Sequence, residues 1–236
     1  MNTTIAAIST AVSASGIGII RISGPEAMDV ISRIYRSKGG KKKLKKCPPT
    51  PFIMVIFMME KKRWMKFWSW LCDAPKTFTG EDTVEIDCHG GVYAMNRVLE
   101  TVLKNGAKIA GPGEFTKRAF LNGRLDLSQA EAVMDVIQAK NEYALKSSMS
   151  QLKGSVQKTI KEIRSDLIYE IAFIESALDD PEHISLDGYT QKLRGIVEKE
   201  QKSIEELLKT SADGKIIREG IETVIVGKPN AGKSSL

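Results

Sequence analysis

The sequence predicts an α+β domain, then a domain of long helices, then the first strand and phosphate loop of an incomplete α/β domain. Three observations carry this order. Strand-like apolar runs alternate with amphipathic helices over residues 1–125. From 126 to 218 apolar residues recur at spacings of three and four almost without fault. Residues 219–236 close on TVIVGKPNAGKSSL, a β-branched run feeding a glycine-containing turn.

Composition bounds the rest. The 236 residues leave room for one or two complete domains, and 42% hydrophobic with 27% charged residues is a soluble, globular balance. The opening MNTTIAAIST has neither the basic head nor the apolar core of a secretory signal. The longest apolar run, 52–59, is too short for a bilayer. Cys47, Cys72 and Cys88 are spaced for neither a disulfide framework nor a metal quartet. A cytoplasmic protein without a membrane partner is expected. The net charge of +6 does not argue for nucleic acid, because residues 38–66 alone carry +9 and leave −3 to the rest.

In chain order, residues 4–8 and 16–22 read as strands. Ser23-Gly24-Pro25 starts a helix whose stripe is Ala27, Val30, Ile31 and Ile34. Residues 41–73 follow no period of 2 or 3.6, and they hold all three tryptophans, Trp64, Trp68 and Trp70. Two readings stand for this segment. One is a basic–aromatic insertion for a membrane surface or a partner. The other is a local reading-frame error, since the neighbouring frame, constrained by single-codon Met and Trp, spells a strand, an Asp-Gly turn and an alternating strand. On the second reading the tryptophans have no patterned place in a sheet as the sequence stands.

Order returns with the strand Thr83–Cys88, in which Val84, Ile86 and Cys88 alternate with Glu85 and Asp87. On pattern alone the acids read as a solvated face. His89 beside Cys88 is too little for a metal site. A helix over 91–104, with Val92, Met95, Val98, Leu99, Val102 and Leu103 on one face, stops at Asn105-Gly106. After a short strand at 108–110, GPGEFTKRAFLNGRLDL reads either as the lining of an anionic-ligand pocket or as a surface turn with salt bridges. Ser128 and Glu131 form a capping box that opens one long helix, or two consecutive ones, ending at Asp179-Asp180-Pro181. A second helix from about Tyr189 stops at Asp213-Gly214, and the pair makes an antiparallel hairpin with its apolar stripe as core.

The last stretch carries the sharpest chemistry. Gly227 to Ser234 is G-x-x-x-x-G-K-S behind the strand pattern Val224-Ile225-Val226. Glycines let backbone N–H groups curl round a phosphate, Lys233 reaches the β- and γ-phosphates, and the Ser234 hydroxyl ligands Mg²⁺. The chain ends at Leu236, before any Walker B aspartate or base-reading motif, so a truncated nucleotide-binding domain is expected.

Four blocks now amount to a resemblance: GIGIIRISGPEA, FTGEDTVEIDCHGG, GPGEFTKRAFLNGRLDLSQAEAVMDVI and REGIETVIVGKPNAGKSSL, in that order. They span the chain except 41–73, and they resemble the N-terminal half of the tRNA-modification GTPase family MnmE, also called TrmE. The resemblance implies an α/β domain at 1–125 that binds 5-formyltetrahydrofolate and forms a homodimer. It implies a helical domain at 126–218 and the start of a Ras-like G domain at 219–236. It further implies that, with the FAD-dependent partner MnmG, the protein installs an aminomethyl-type group on the wobble uridine of certain tRNAs.

By motif match, the resemblance places folate contacts on Arg21, Glu85 and Arg124; no role carries over to Arg118. Two guanidiniums suit a glutamate tail or a ring carbonyl, and a carboxylate suits pterin amino and ring N–H groups. For GTP the implied residues are Asn230, Ala231, Gly232, Lys233, Ser234 and Ser235, with K⁺ held at Asn230 and Mg²⁺ at Ser234. Val12 to Ser15 departs from a family loop that contains Pro, Gly and Arg. Two function classes follow: a GTPase gating a folate-linked tRNA modification, or a non-catalytic folate-binding dimerisation module with a vestigial phosphate-loop stub. For the 236-residue chain itself no nucleotide turnover is expected.

Overall fold

The computed structural model describes residues 3–36, 52–59, 62–219, 224 and 226–228, with the side chains of 35–68, 210–213 and 215–219 outside that description. The chain divides into two compact units, Met1–Leu125 and Asp126–Leu236.

In the first unit, alternation builds a mixed seven-stranded sheet. Its strands are β1 (Ile5–Ile8), β2 (Ser15–Ser23), β3 (Tyr35–Arg36), β4 (Phe52–Met59), β5 (Lys62–Cys72), β6 (Thr83–Gly90) and β7 (Lys108–Ile109), in the order β3-β4-β5-β6-β2-β1-β7. Every pairing is antiparallel except β1 with β7. Helices α1 (Ala27–Ile34) and α2 (Val92–Lys104) cover one face, because period 2 sends Ile20, Ile22, Val84, Ile86 and Cys88 to the same side as their buried stripes. Ala27, Val30, Ile31, Ile34, Met95, Val98 and Val102 complete that core. Each fully buried aliphatic side chain contributes roughly 1.5–3 kcal/mol. Val92, expected on the α2 stripe, is exposed at the first turn of the helix.

The irregular segment has a place in this sheet. β4 and β5 form an antiparallel hairpin from Phe52↔Trp70 to Met59↔Lys62, and β5 continues onto β6 through Trp70↔Glu85. The expectation that the tryptophans lack a place in the sheet is thus corrected for the backbone: Trp64, Trp68 and Trp70 all lie in β5. Ladder hydrogen bonds form whatever the side chains are, and hydrophobic periodicity does not report them. At the end of β5 the pattern is inverted. Ser69 is fully buried beside the buried Leu71, whereas Trp70 points outward and is 40% exposed.

The second unit is helical: α4 (Leu127–Gln138), α5 (Glu142–Leu152), α6 (Ser155–Asp179) and α7 (Tyr189–Glu219). The stretch expected as one or two helices is three. Asn141 caps α5 by accepting from the Ala144 N–H, and Gly154 leaves the helix at φ +83° before α6. The cap of α4 is Asp126, not Ser128. Its carboxylate accepts from the Gln129 N–H at 2.8 Å while the Gln129 side chain returns to the Asp126 N–H at 2.9 Å. Ser128 already lies inside the helix and donates its hydroxyl to Asp126.

α7 passes through Asp213-Gly214, where a stop was expected, because neighbouring helical residues on both sides outvote one glycine. α6 and α7 run antiparallel. Phe173 stacks on Tyr189 at 4.9 Å, and Lys199 reaches Asp166 at 3.4 Å. The apolar stripe is not closed as core among the described residues. Ile163 is buried, but Leu145, Ile160, Ile171, Leu178 and Leu208 are exposed, since helices with so few neighbours bury only a narrow seam. Val224 and Val226–Lys228 belong to no strand, and the two valines are 82% and 86% exposed. An isolated β-run without a pairing partner gains no ladder.

Candidate site on the open face of the sheet

The face of the first unit's sheet opposite α1 and α2 carries the polar half of the alternation. Arg21 on β2 lies directly across from Glu85 on β6. The Arg21 Nε–H donates to Glu85 Oε1 at 2.7 Å, and Nη2 is 2.7 Å from the same oxygen. The two side chains are 27% and 29% exposed, so the pair is reachable from solvent. Glu85 is therefore an ion-pair partner and not merely a solvated strand position.

Two rings flank the guanidinium. Arg21 Cζ lies 5.6 Å from the Phe78 ring centre and 5.7 Å from that of Phe115. Both distances are within cation–π range. Phe78 sits in the loop between β5 and β6, which begins with a cis Ala74–Pro75 bond. Phe115 is in the first turn of α3 (Glu114–Leu121).

Arg124 follows α3 and is exposed. Its Nε–H donates to the Thr77 carbonyl at 3.0 Å, one residue before Phe78. Gly80, at φ +76°, makes room for it: a Cβ there would lie 3.2 Å from Arg124 Cγ. The three residues named from sequence thus fall in one neighbourhood with unequal roles. Arg21 and Glu85 touch each other, and Arg124 holds the loop that carries Phe78.

Farther along β6, Asp87 accepts a hydrogen bond from Trp70, and burial, ahead of the nearby Glu85 charge, holds its carboxyl above the usual range. Burial likewise pushes the Cys88 thiol up to about 11, which removes it from nucleophilic chemistry at neutral pH. Among the described residues no group of three or more His, Cys, Asp and Glu side chains is arranged to hold a metal ion. No helix among them is long and apolar enough to cross a membrane.

The sequence reasoning missed Arg118. It is 1% exposed and the most voluminous fully buried side chain among the described residues. Nη1 donates to the Thr3 carbonyl at 2.7 Å and to Glu81 at 3.1 and 3.2 Å, and Nη2 donates to Glu114 at 2.9 Å. The Gly111 N–H, foremost, and Arg118 hold the Glu114 carboxyl below its usual range. Arg118 lies on the inward side of α3 beside the buried Ala119. The available signal was spacing: Glu114 and Arg118 are an i, i+4 pair. The implied nucleotide and metal positions, Asn230 to Ser235, lie outside the described residues.

Comparisons with known proteins agree in direction. The sequence model described as the GTP-binding protein TrmE N-terminus matches residues 4–124, and that of the MnmE helical domain matches 127–231. A tRNA modification GTPase MnmE of Lachnoclostridium phytofermentans is 53% identical over 233 residues, covering 99% of this chain and 51% of the relative. Proteins of the same name from Geobacillus kaustophilus and Bacillus subtilis are 47% and 45% identical over 237 residues, with the same coverage of both chains. The chain spans about half the length of the curated relatives it matches.

Proposed function

The chain belongs to the TrmE (MnmE) family of tRNA-modification GTPases, and from that premise we propose that it is the folate-binding and helical part of a GTP-dependent tRNA-modifying protein. The observation that carries the reading is the Arg21–Glu85 pair between two phenylalanine rings on an accessible sheet face. The donor set fits a reduced folate. Arg21 commits Nε and Nη2 to Glu85 Oε1, and among the described residues no hydrogen bond reaches Glu85 Oε2. That oxygen accepts from the pterin amino and ring N–H groups. Arg124, exposed and with Nε on the Thr77 carbonyl, meets the anionic glutamate tail. The bound folate supplies the one-carbon unit, and these side chains bind and orient it.

The same reading assigns GTP to Asn230–Ser235, with K⁺ at Asn230 and Mg²⁺ at Ser234, on the strength of the motif. It assigns homodimerisation to the first unit, and tRNA and the FAD-dependent protein MnmG as partners of the whole protein. The test is a thermal-shift titration of the chain with 5-formyltetrahydrofolate. Selective binding to the folded state raises the midpoint with ligand concentration. Arg21→Ala and Glu85→Gln should abolish most of that rise. Equal responses from both variants and the wild type refute the site.

A further inference from the structure

We infer that Arg118 is the positioning residue of this site, and that it acts through Phe78 and Phe115 without touching the ligand. The inference rests on the folate reading above. A guanidinium at 1% exposure is costly to bury, and such ion pairs are often no more stabilising than a well-packed apolar replacement. What the planar fork supplies is fixed geometry. One arm of the fork holds Glu114, at the start of the helix that carries Phe115. The other holds Glu81, in the loop that carries Phe78.

Glu81 extends the grip. Its Oε2 accepts from the Ser23 hydroxyl at 2.9 Å, two residues beyond Arg21 on β2. Ser23 Oγ is in turn 2.7 Å from Thr79 Oγ1. The Thr77 hydroxyl donates to the Glu81 carbonyl at 2.6 Å, and Asn122 donates to the Thr79 carbonyl at 2.8 Å. Both neighbours of Phe78 are therefore held by a network with Arg118 in its middle. The ring positions over Arg21 are set from behind, by a side chain with no route to solvent.

The test compares affinities for 5-formyltetrahydrofolate in the whole chain. Arg118→Lys keeps the charge and loses the fork, and affinity should fall at least tenfold. Glu81→Gln, which keeps an acceptor of the same shape, should give a smaller loss in the same direction and serves if the lysine variant does not fold. Two controls separate positioning from loss of stability. Val98→Ala, in the α2 core on the other face, should lower the melting midpoint and leave affinity unchanged. In a double-mutant cycle, Arg118→Lys combined with Phe78→Ala should lose much less than the product of the two single losses. Wild-type affinity in both Arg118→Lys and Glu81→Gln, fully multiplicative losses, or an equal loss in Val98→Ala overturns the inference. If Arg21→Ala also binds normally, the site reading falls with it. If Arg21→Ala abolishes binding while the Arg118 and Glu81 variants do not affect it, only the positioning role falls.

Discussion

Arg21 and Glu85, 64 residues apart in the chain, meet through a single carboxylate oxygen, with Nε and Nη2 of the guanidinium both directed at Oε1. On the proposed folate reading the other oxygen is the one that meets the pterin, since among the described residues no hydrogen bond reaches it. Arg124→Ala, which leaves this pair intact, should weaken folate binding by one charge-assisted hydrogen bond. That is about 1.5–3 kcal/mol, roughly tenfold to a hundredfold in affinity. Isothermal titration measures it, and wild-type affinity in the variant would remove Arg124 from the site.

Removing Arg118 altogether tests stability. Arg118→Met leaves Glu81 and part of Glu114 without their buried cation, and breaking such a pair costs about 3–5 kcal/mol. Urea unfolding of the first unit reads the change. A loss below about 1 kcal/mol, the scale of an exposed pair, would contradict the buried network.

Ser69 gives a prediction of opposite sign. Its hydroxyl is buried and, among the described residues, has no hydrogen-bond partner, in a row where its neighbours across the sheet are Ile53 and Ile86. Ser69→Ala should stabilise the first unit by about 1–3 kcal/mol, the desolvation cost of an unsatisfied group. A lower unfolding midpoint in the variant would show that the hydroxyl is satisfied in solution.

These residues and their neighbours also show what the sequence could and could not convey. The core was legible because Ile20, Ile22, Val84 and Ile86 alternate strictly, and so was the end of α6 at Asp179 before a proline. Arg21, Glu85 and Arg124 were reachable only through motif resemblance, and the Arg21–Glu85 contact is a matter of register across non-consecutive strands. Arg118 was passed over because a charge on a short helix reads as solvated until the loop behind it is in place. Ser69 and Trp70 invert the usual inside–outside rule, so β5 gave no hydrophobic signal although its backbone pairs on both sides. The breaks at Asn141 and Gly154 were hidden because the apolar spacing runs across both of them.

Helix capping in the second unit separates Asp126 from Ser128. Asp126→Ala removes the carboxylate that accepts from the Gln129 N–H, and should cost about 0.5–2 kcal/mol. Ser128→Ala loses only a hydroxyl that donates to the same carboxylate and should cost less. Thermal unfolding of the two variants decides the order, and a larger loss in Ser128→Ala would put the cap where the capping-box pattern first suggested.

Alkaline pH should act through Cys88. Burial, then the Asp87 charge, raises its thiol from 9.0 to about 11, so the folded state holds the proton more tightly than the unfolded chain. This contribution is complete below pH 9 and is lost as pH rises through 11, with a slope of at most about 1.4 kcal/mol per pH unit. Denaturant midpoints between pH 8 and 11 should fall more steeply for wild type than for Cys88→Ala. Parallel curves would mean that the thiol titrates normally.

The strand order has a consequence for the behaviour of the polypeptide in concentrated solution. β3 pairs with only two residues of β4, Phe57 and Ile56, although β4 is eight residues long and reads FIMVIFMM. Among the described residues, the outer backbone groups of Phe52 to Val55 have no ladder partner. An uncharged, proline-free run in that position is a template for pairing with the same strand of another copy. Self-association that starts at this edge, and not loss of the folded core, would then set the highest concentration at which the chain stays dispersed. A single lysine placed within 52–55 would raise that limit before it altered anything at Arg21.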